Sequence, residues 1–425
     1  MTPEPSWHPH LWHPFTQVAV AAPPLRAVRG EGAWLELDDG RRLIDAISSW
    51  WVTLHGHAEA SIAAAIARQA SRLEQVIFAN FSHPAAEELG QRLSAVSGLE
   101  RLFFSDNGST AVEVALKIAW QWWRNQGIER RRLIAFDGAY HGDTFGAMAV
   151  GERSLFSAPF EPLLFAVERA PWPATWWGDD TVQDREAAAL ERLEQLLAVP
   201  TAAVILEPLL QGAGGMAMVR PEFLQGVQQR VRDAGALLIA DEVLMGFGRS
   251  GSLFASAKAA LQPDLMALSK GLTGGFLPMG VTLASERIHA GFISNEPDRT
   301  FFHGHSFTAN PLGCAAALAS LSLLETFPER HQGFEARHRP HLEALASQRG
   351  VHRPRLIGSI AAFDLAAGQP GYLHPSGRRL QELCLQRGVF LRPLGHVVYL
   401  LPPLCLSDAE LEQCYGAIAA ALDQL

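Results

Sequence analysis

The sequence predicts an α/β protein with a mostly parallel main sheet, followed by a smaller α+β domain. From about residue 101, short apolar runs alternate with stretches in which apolar residues recur at helical spacing. Strands that alternate with helices form βαβ units, whose parallel sheet is covered by helices on both faces. The predicted strands of this sheet are residues 102–105, 133–136, 203–206, 237–240, 265–268 and 279–284.

The two ends of the chain follow different patterns. Residues 33–47 alternate around the turn Asp38-Asp39-Gly40 and predict a β-hairpin. From about residue 311 the pattern is helical, and short strands follow near 357–364 and 397–401. We therefore expect an N-terminal segment, 1–55, that belongs to the small domain, a large domain over 56–315, and the rest of the small domain over 316–425.

Composition narrows the class of protein. The chain has 425 residues, of which 48% are hydrophobic and 19% charged, as in packed globular proteins. Its formal net charge of −9 argues against nucleic acid or an anionic membrane as the main partner. The four cysteines lack CxxC spacing, and neither a secretion signal nor a membrane-spanning apolar stretch is apparent. We expect a cytoplasmic protein with reduced thiols and no metal site.

Lys270 is a candidate nucleophile. It is one of only three lysines among 35 basic residues, and it follows the apolar run 265–268 directly before a glycine-rich turn. Arginine stays protonated, whereas lysine can lose its proton and form a Schiff base with a carbonyl compound. A solvated lysine at a strand end is the alternative from this residue alone.

Asp241 ends the apolar run 237–240, so that it and Lys270 would meet at the edge where parallel strands end. There an aspartate could hold the protonated ring nitrogen of a pyridine cofactor, although it could also cap the next turn.

A third strand end suggests a phosphate site. Segment 105–110, Ser-Asp-Asn-Gly-Ser-Thr, joins a strand to a helix, and the unpaired N–H groups of a first helical turn favour phosphate. From this segment alone, an ordinary helix cap is the better explanation of these residues. Tyr140 follows another strand and could stack on a planar ring. Segment 246–251 fits GxGxxG, but no helix opens within it, so we discount a dinucleotide site.

A phosphate loop, a tyrosine, an aspartate and a lysine in this order resemble the class III aminotransferases, which depend on pyridoxal 5'-phosphate. The resemblance covers nearly the whole chain, and its most specific segments are 241–251 and 269–271. It implies fold type I of the pyridoxal-phosphate-dependent transferases. In that fold the large domain has a mostly parallel, seven-stranded sheet flanked by helices.

The resemblance also implies the roles of individual residues. Lys270 would bind the cofactor covalently and move a proton, Asp241 would pair with the ring nitrogen, and Tyr140 would stack on the ring. The phosphate would contact Gly108, Ser109 and, from a partner subunit, Ser306, so a homodimer with shared sites is expected. The implied substrate-binding residues are Phe15, Trp50, Trp51, Asp143, Gly304, Arg392 and Tyr399.

Finer features are similar to the branch of the class that acts in biotin synthesis. They are residues 12–16, 45–51, 140–148, 211–216, 392–393 and 399–403. The implied reaction moves the amino group of S-adenosylmethionine to 8-amino-7-oxononanoate. Phe15 departs from that branch, which usually has a tyrosine there, so the rate or the choice of donor could differ. The alternatives are an ω-aminotransferase using ornithine, 4-aminobutyrate or lysine, an intramolecular aminomutase, and a non-enzymatic cofactor-binding regulator.

Overall fold

The computed structural model describes residues 7–365, 371 and 374–425. The strands are β1 (Ala27–Glu31), β2 (Trp34–Leu37), β3 (Arg42–Asp45), β4 (Arg101–Ser105), β5 (Arg132–Phe136), β6 (Glu168–Ala170), β7 (Thr201–Leu206), β8 (Leu210–Gln211), β9 (Ala217–Met218), β10 (Leu237–Asp241), β11 (Leu265–Leu268), β12 (Gly280–Ala284), β13 (Val351–Ile357), β14 (Ile360–Leu365), β15 (Val389–Phe390) and β16 (Val397–Leu400).

The α-helices are α1 (Ser48–Trp51), α2 (Ala60–Ala70), α3 (Pro84–Ser97), α4 (Gly108–Asn125), α5 (Phe145–Val150), α6 (Val182–Leu197), α7 (Pro221–Asp233), α8 (Ala255–Lys258), α9 (Glu286–Ala290), α10 (Pro311–Thr326), α11 (Glu329–Gln332), α12 (Phe334–Ala346), α13 (Pro375–Leu385) and α14 (Asp408–Leu422). Short 3-10 helices span Ala158–Leu163, Lys270–Thr273 and Pro297–Arg299.

The main sheet has seven strands in the order β4-β12-β11-β10-β7-β5-β6. Only β12 runs antiparallel to its neighbours, so the mostly parallel seven-stranded sheet is confirmed. All six predicted strands are present, with bounds that differ by no more than two residues. Sequence reasoning missed β6, a three-residue edge strand that begins with the charged pair Glu168 and Arg169 and lacks an apolar run.

Helices cover both faces of this sheet, which explains the continuous apolar strands. Every residue of β7, β10 and β11 is buried. Successive side chains of a strand point to opposite faces. Accordingly Leu238 packs in the core cluster that contains α6 and α7, whereas Leu237 and Ile239 pack in the cluster that contains α4. The ends of the strands, and not their faces, are thus left to carry function.

The N-terminal hairpin is confirmed and joins the C-terminal part of the chain. Strands β2 and β3 pair antiparallel, with Trp34 opposite Ile44. β15 adds to β3 in parallel and completes a four-stranded sheet, while β13, β14 and β16 form a separate three-stranded sheet. The assignment of residues 1–55 to the small domain, and the boundaries near 56 and 316, stay predictions that this pairing supports.

Among the described residues, no single helix is both long and apolar enough to cross a membrane. One bent pair of segments, Pro311–Thr326 with Glu329–Ala346, meets the length and composition criteria only when taken together, at an angle of 73°.

Candidate active site

Three strands of the main sheet deliver functional groups to one edge. Asp241 ends β10, Glu207 follows β7, and Lys270 follows β11. The three strands are parallel neighbours, so their carboxyl ends meet. All three side chains line one cavity of about 660 Å³.

Lys270 lies at the start of a 3-10 turn and has a positive φ of 38°. Its Nζ lies 4.7 Å from the centroid of the Trp51 ring, on the cavity wall. Burial lowers the pKa of Lys270 to about 8. The carboxylates of Asp241 and Glu207 raise this pKa, and the positive charge of Arg249 lowers it further. A lysine in this state supplies a neutral amine far more readily than a surface lysine does.

Asp241 is held by two hydrogen bonds. Its Oδ2 lies 2.6 Å from Nδ1 of His141, and its Oδ1 accepts a bond from the backbone N–H of Val243 at 3.0 Å. Both side chains of the Asp241–His141 pair are buried. Sequence reasoning missed His141, although it directly follows Tyr140. Only the fold brings it to Asp241, 100 residues away.

Glu207 is a second carboxylate that sequence reasoning missed. It accepts hydrogen bonds from the backbone N–H groups of Tyr140, at 3.1 Å, and Gly212, at 3.0 Å. Burial raises the pKa of Glu207 to about 7. Its position directly after an apolar strand, like that of Asp241, was a signal that could have found it.

The N-terminus of α4 forms another wall of the cavity. Asn107 caps the helix by accepting a hydrogen bond from the N–H of Thr110 at 2.9 Å. The first-turn N–H groups of Gly108 and Ser109 have no partner within the helix. A methyl group on Gly108 would lie 2.6 Å from a Val243 methyl carbon, so only glycine allows this close approach.

Hydrogen bonds connect Ser109 to the loop before α5. The Ser109 Oγ lies 2.7 Å from the Thr144 hydroxyl oxygen and accepts a hydrogen bond from the Thr144 N–H at 3.0 Å. Glu113 of α4 accepts bonds from the hydroxyl of Thr144 and the N–H of Gly146. These bonds fix the loop from Tyr140 to Thr144, which lines the cavity.

Tyr140 and Asp143 lie next to each other on this loop. Tyr140 is half-buried and Asp143 is exposed, and both line the cavity. Burial, followed by the negative charge of Asp143, raises the pKa of the Tyr140 hydroxyl. The tyrosine therefore stays neutral throughout the physiological range.

A cluster of aromatic rings lies beside the cavity, where Phe156 lines a neighbouring pocket together with Tyr140 and Asp143. The Phe15 ring contacts Trp50 edge-on, with centroids 5.3 Å apart, and Phe156 at 5.6 Å. The guanidinium of Arg392, another predicted substrate-binding residue, lies over the Trp50 ring, 4.5 Å from its centroid. Phe15 and Trp50 are 48% and 40% exposed, which leaves apolar surface available to a ligand. We name Phe15, Trp50, Phe156 and Arg392 the mouth cluster.

The predicted site residues Tyr399, Gly304 and Ser306 are not among the described residues that line the cavity. Tyr399 is buried behind Trp51, whose indole N–H donates to its hydroxyl at 2.9 Å. Gly304 and Ser306 are exposed, and neither is among the described residues that line the cavity. The structure thus brings one set of predicted residues to a single cavity: Lys270, Asp241, Tyr140, Gly108, Ser109, Trp51 and Asp143. Another set is not among the described residues that line it: Phe15, Trp50, Gly304, Ser306, Arg392 and Tyr399. The predicted roles of both sets stay predictions.

Known proteins are similar to this chain in both sequence and fold. The family model described as "Aminotransferase class-III" matches residues 15–422. The adenosylmethionine-8-amino-7-oxononanoate aminotransferase of Synechococcus elongatus is 61% identical over 98% of this chain and 99% of that protein. The enzyme of the same name from Geobacter sulfurreducens is 40% identical over 95% and 93%.

Solved structures give the same result. The adenosylmethionine-8-amino-7-oxononanoate aminotransferase of Methanocaldococcus jannaschii has a TM-score of 0.90 at 31% identity and covers 98% of this chain and 97% of its own. A PLP-bound amine transaminase from an uncultivated Pseudomonas species has a TM-score of 0.91 at 31% identity, with 98% and 99% covered. This chain belongs to the class III aminotransferase family.

Proposed function

We propose that this chain transfers the amino group of S-adenosylmethionine to 8-amino-7-oxononanoate, giving 7,8-diaminononanoate in biotin biosynthesis. The observation that carries the proposal is one cavity that unites the amine of Lys270, the carboxylate of Asp241 and the free N-terminus of α4. The choice of substrates rests on the names of the relatives from S. elongatus and M. jannaschii.

The cavity fits pyridoxal 5'-phosphate, the cofactor of this family. Gly108 and Ser109 at the start of α4 would hold the phosphate, since unpaired N–H groups and the helix dipole favour an anion. The close approach of Gly108 to Val243 and the buried Asp241 on the same wall suit a flat ring with a cationic nitrogen. When bound, the cofactor supplies an electron sink for transamination.

The side chains prepare this chemistry. Lys270 would hold the cofactor and then carry the proton between the substrate carbon and the cofactor, which its lowered pKa allows at neutral pH. His141, bonded to Asp241, keeps that carboxylate in place on the cavity wall. Tyr140, whose N–H is fixed by Glu207, would cover the ring.

The mouth cluster would select the substrates. Arg392 would bind the carboxylate of 8-amino-7-oxononanoate, because a planar guanidinium binds carboxylates bidentately. Its contact with the Trp50 ring orients it over apolar surface that suits a short aliphatic chain. Asp143 would contact the amino group of the donor, and Tyr399 would act by holding Trp51.

We also infer a homodimer with shared sites. Ser306 is exposed and lies beside Phe307, which is 64% exposed, and Phe302, which is 75% exposed. A second copy would cover this apolar surface and receive the Ser306 hydroxyl at its phosphate site. Light scattering measures the mass directly. Mixing Lys270→Ala with Ser306→Ala protein should restore part of the activity if sites are shared, and a monomer would contradict the inference.

The expected cytoplasmic location stays a prediction. All four cysteines are free, as reducing conditions would leave them.

The first experiment is the visible spectrum of the cofactor-loaded protein on addition of single amines. S-adenosylmethionine, lysine, ornithine and 4-aminobutyrate are tested in parallel. The proposal is supported if the visible absorption band of the bound cofactor is lost with S-adenosylmethionine and with none of the other three amines. If the band is lost only with another amine, the protein is still an aminotransferase, but S-adenosylmethionine is not its amino donor. An intramolecular aminomutase would release no oxo product, and a regulator would bind the cofactor without turnover.

A further inference from the structure

The segment 300–308, which carries Ser306, has little regular structure of its own. It lies between the 3-10 helix Pro297–Arg299 and α10, and in this described part of the chain none of its residues belongs to a helix or strand. The rings of Phe302 and Phe307 are exposed. Ser306 is exposed as well, and its hydroxyl has no hydrogen-bond partner among the described residues. Neighbouring elements must therefore hold this segment, which we name the Ser306 loop.

Helix α4 holds the start of the Ser306 loop through side chains spaced four residues apart. The Gln121 side chain donates to the carbonyls of Arg299, at 3.2 Å, and Thr300, at 3.0 Å. One turn further on, Asn125 donates to the Arg299 carbonyl at 3.3 Å, and the Arg299 guanidinium donates back to the Asn125 carbonyl at 3.2 Å. Residues four apart are neighbours on the surface of a helix, so this face of α4 fixes where the loop begins.

Lys117, one turn earlier on that face, holds the next part of the loop. Its Nζ lies 2.9 Å from Nδ1 of His303 and 5.6 Å from the centroid of the Phe301 ring, on which His303 stacks. An ammonium has no lone pair, so Nδ1 must be the acceptor. Burial, followed by the charges of Lys117 and His305, lowers the pKa of His303, so the ring is uncharged at neutral pH and can accept. Among the described residues, the Lys117 amine has no other hydrogen-bond or ion-pair partner.

The far side of the loop is held by a different part of the subunit. Gln75, between α2 and α3, donates to the Ser306 carbonyl at 2.9 Å. Gln75 is itself bonded to Asn310, whose Nδ2 donates to its Oε1 at 3.0 Å. The backbone after Gly304 is thus held by Gln75, while the backbone before it depends on Lys117.

In a dimer with shared sites, α4 would serve two cavities. Its first turn, with Gly108 and Ser109, lines the cavity of its own subunit. Glu113, in the second turn, accepts bonds from the loop before α5, which lines the same cavity. Lys117, in the third turn, bonds the loop whose Ser306 would reach the cavity of the partner subunit. One row of side chains, spaced four residues apart, therefore connects the two sites.

We propose that Lys117 is a positioning residue for the cofactor site of the partner subunit: its bond to His303 holds the loop so that Ser306 reaches the phosphate bound there. The bond lies at the surface of the subunit, where a second copy that covers the Phe302 and Phe307 rings would shield it from water. A charged hydrogen bond is stronger in such a low-dielectric environment. The inference rests on the proposed homodimer with shared sites.

The test uses mixed dimers in which only one subunit carries Lys270. Two different affinity tags isolate the mixed dimer, and the visible band that depends on Lys270 then reports one site only. In the first dimer, Lys117→Met is paired with Lys270→Ala, so the reporting site receives its loop from a subunit with Lys117 intact. In the second dimer, the parent chain is paired with a subunit that carries both substitutions, so the reporting site receives a loop without this anchor.

We expect the Kd for the cofactor to be about fivefold higher in the second dimer than in the first, since one hydrogen bond to an anion is weakened. The first dimer should match the parent. Titration of the cofactor into the apoprotein, followed by the visible band, measures both constants. Arg124→Met is the matched control, because it removes an exposed cation of α4 whose side chain has no hydrogen bond to the described residues. Both of its mixed dimers should match the parent.

Equal constants in the two dimers, or a higher Kd in the first, would overturn the proposal, because Lys117 would then act within its own subunit or not at all. If subunits with Lys117→Met do not fold, His303→Phe takes its place in both dimers. It keeps a ring against Phe301 but removes the acceptor, and the same difference is expected. A monomeric parent protein would refute the homodimer and this inference with it. A parent without a visible band that depends on Lys270 would instead refute the proposed function itself.

Discussion

The cofactor end of the cavity and the mouth cluster differ in how their side chains are held. At the cofactor end, Asp241 and Glu207 are buried at strand ends, and each accepts bonds from groups that the fold fixes. In the mouth cluster, the Phe15 ring and the Arg392 guanidinium each contact the Trp50 ring, and much of the surface of Phe15 and Trp50 is exposed.

This difference separates reaction from recognition. Bonded, buried groups set charge and proton position, which must be the same for every substrate. Exposed rings can adapt to the shape of a ligand and can be replaced without loss of the fold. Changes at the cofactor end should therefore lower kcat, whereas changes at the mouth should mainly alter KM.

The largest effect is expected from Lys270→Ala. Loss of both the covalent attachment and the proton carrier should lower kcat by about 10⁴-fold or more. The visible band that depends on covalent attachment should vanish as well. Lys258→Ala is the matched control and should keep nearly full activity. Substantial activity in Lys270→Ala would show that the reaction does not depend on Lys270.

Asp241→Asn should be the next most severe change at the cofactor end. The amide keeps the shape but loses the charge, and kcat should fall by about 10²- to 10³-fold with little change in KM. Steady-state kinetics with both substrates measure this. Glu207→Gln is the comparison, because burial already raises the pKa of Glu207 to about 7, so a neutral replacement changes less. Equal losses in the two variants would contradict a special role for Asp241.

At the mouth, Arg392→Met should raise KM for 8-amino-7-oxononanoate by about 10- to 100-fold, as expected when a charged hydrogen-bonding partner is lost. kcat at saturation should change far less. Arg353→Met is the matched control, since Arg353 lies over the Trp176 ring at 4.4 Å, in a similar stack outside the mouth cluster. A fall in kcat without a change in KM would place Arg392 with the cofactor end.

The pH dependence of cofactor attachment sharpens the same comparison. Only the neutral amine attacks, so attachment to the apoprotein should speed up as pH rises through the pKa of Lys270, about 8. Between pH 7 and 9 the rate should rise about tenfold. Stopped-flow absorbance measures the rate of band formation. A midpoint near that of an ordinary lysine, about 10.4, would show that burial does not tune this group.

The smallest effect is expected from Phe15→Tyr. The ring contacts with Trp50 and Phe156 should survive. The added hydroxyl should lower KM for the amino donor by about threefold through one hydrogen bond. Donor preference is measured by kcat/KM with S-adenosylmethionine and with lysine. Phe160→Tyr, on an exposed ring that contacts Phe145, should change neither. A large change in kcat would mean that the mouth also controls the reaction.

The sequence by itself determined the main sheet and the end of that sheet at which the candidate catalytic side chains lie. Apolar runs such as 237–240 and 265–268 are too short for helices and too apolar for surface strands, so their ends located Asp241 and Lys270. The scarcity of lysine singled out Lys270, and the turn before α4 marked a candidate phosphate site. Apart from the lysine count, which is taken over the whole chain, these signals are local to short segments.

Only the tertiary structure decided the contacts between distant segments. It paired His141 with Asp241, bonded Trp51 to the buried Tyr399, and brought Arg249 to the carbonyl of Pro402. It also joined β15 to β3, 345 residues apart at Val389 and Ile44. Burial and pairing of this kind depend on which surfaces meet when the core closes, and no periodicity within a single segment records that choice.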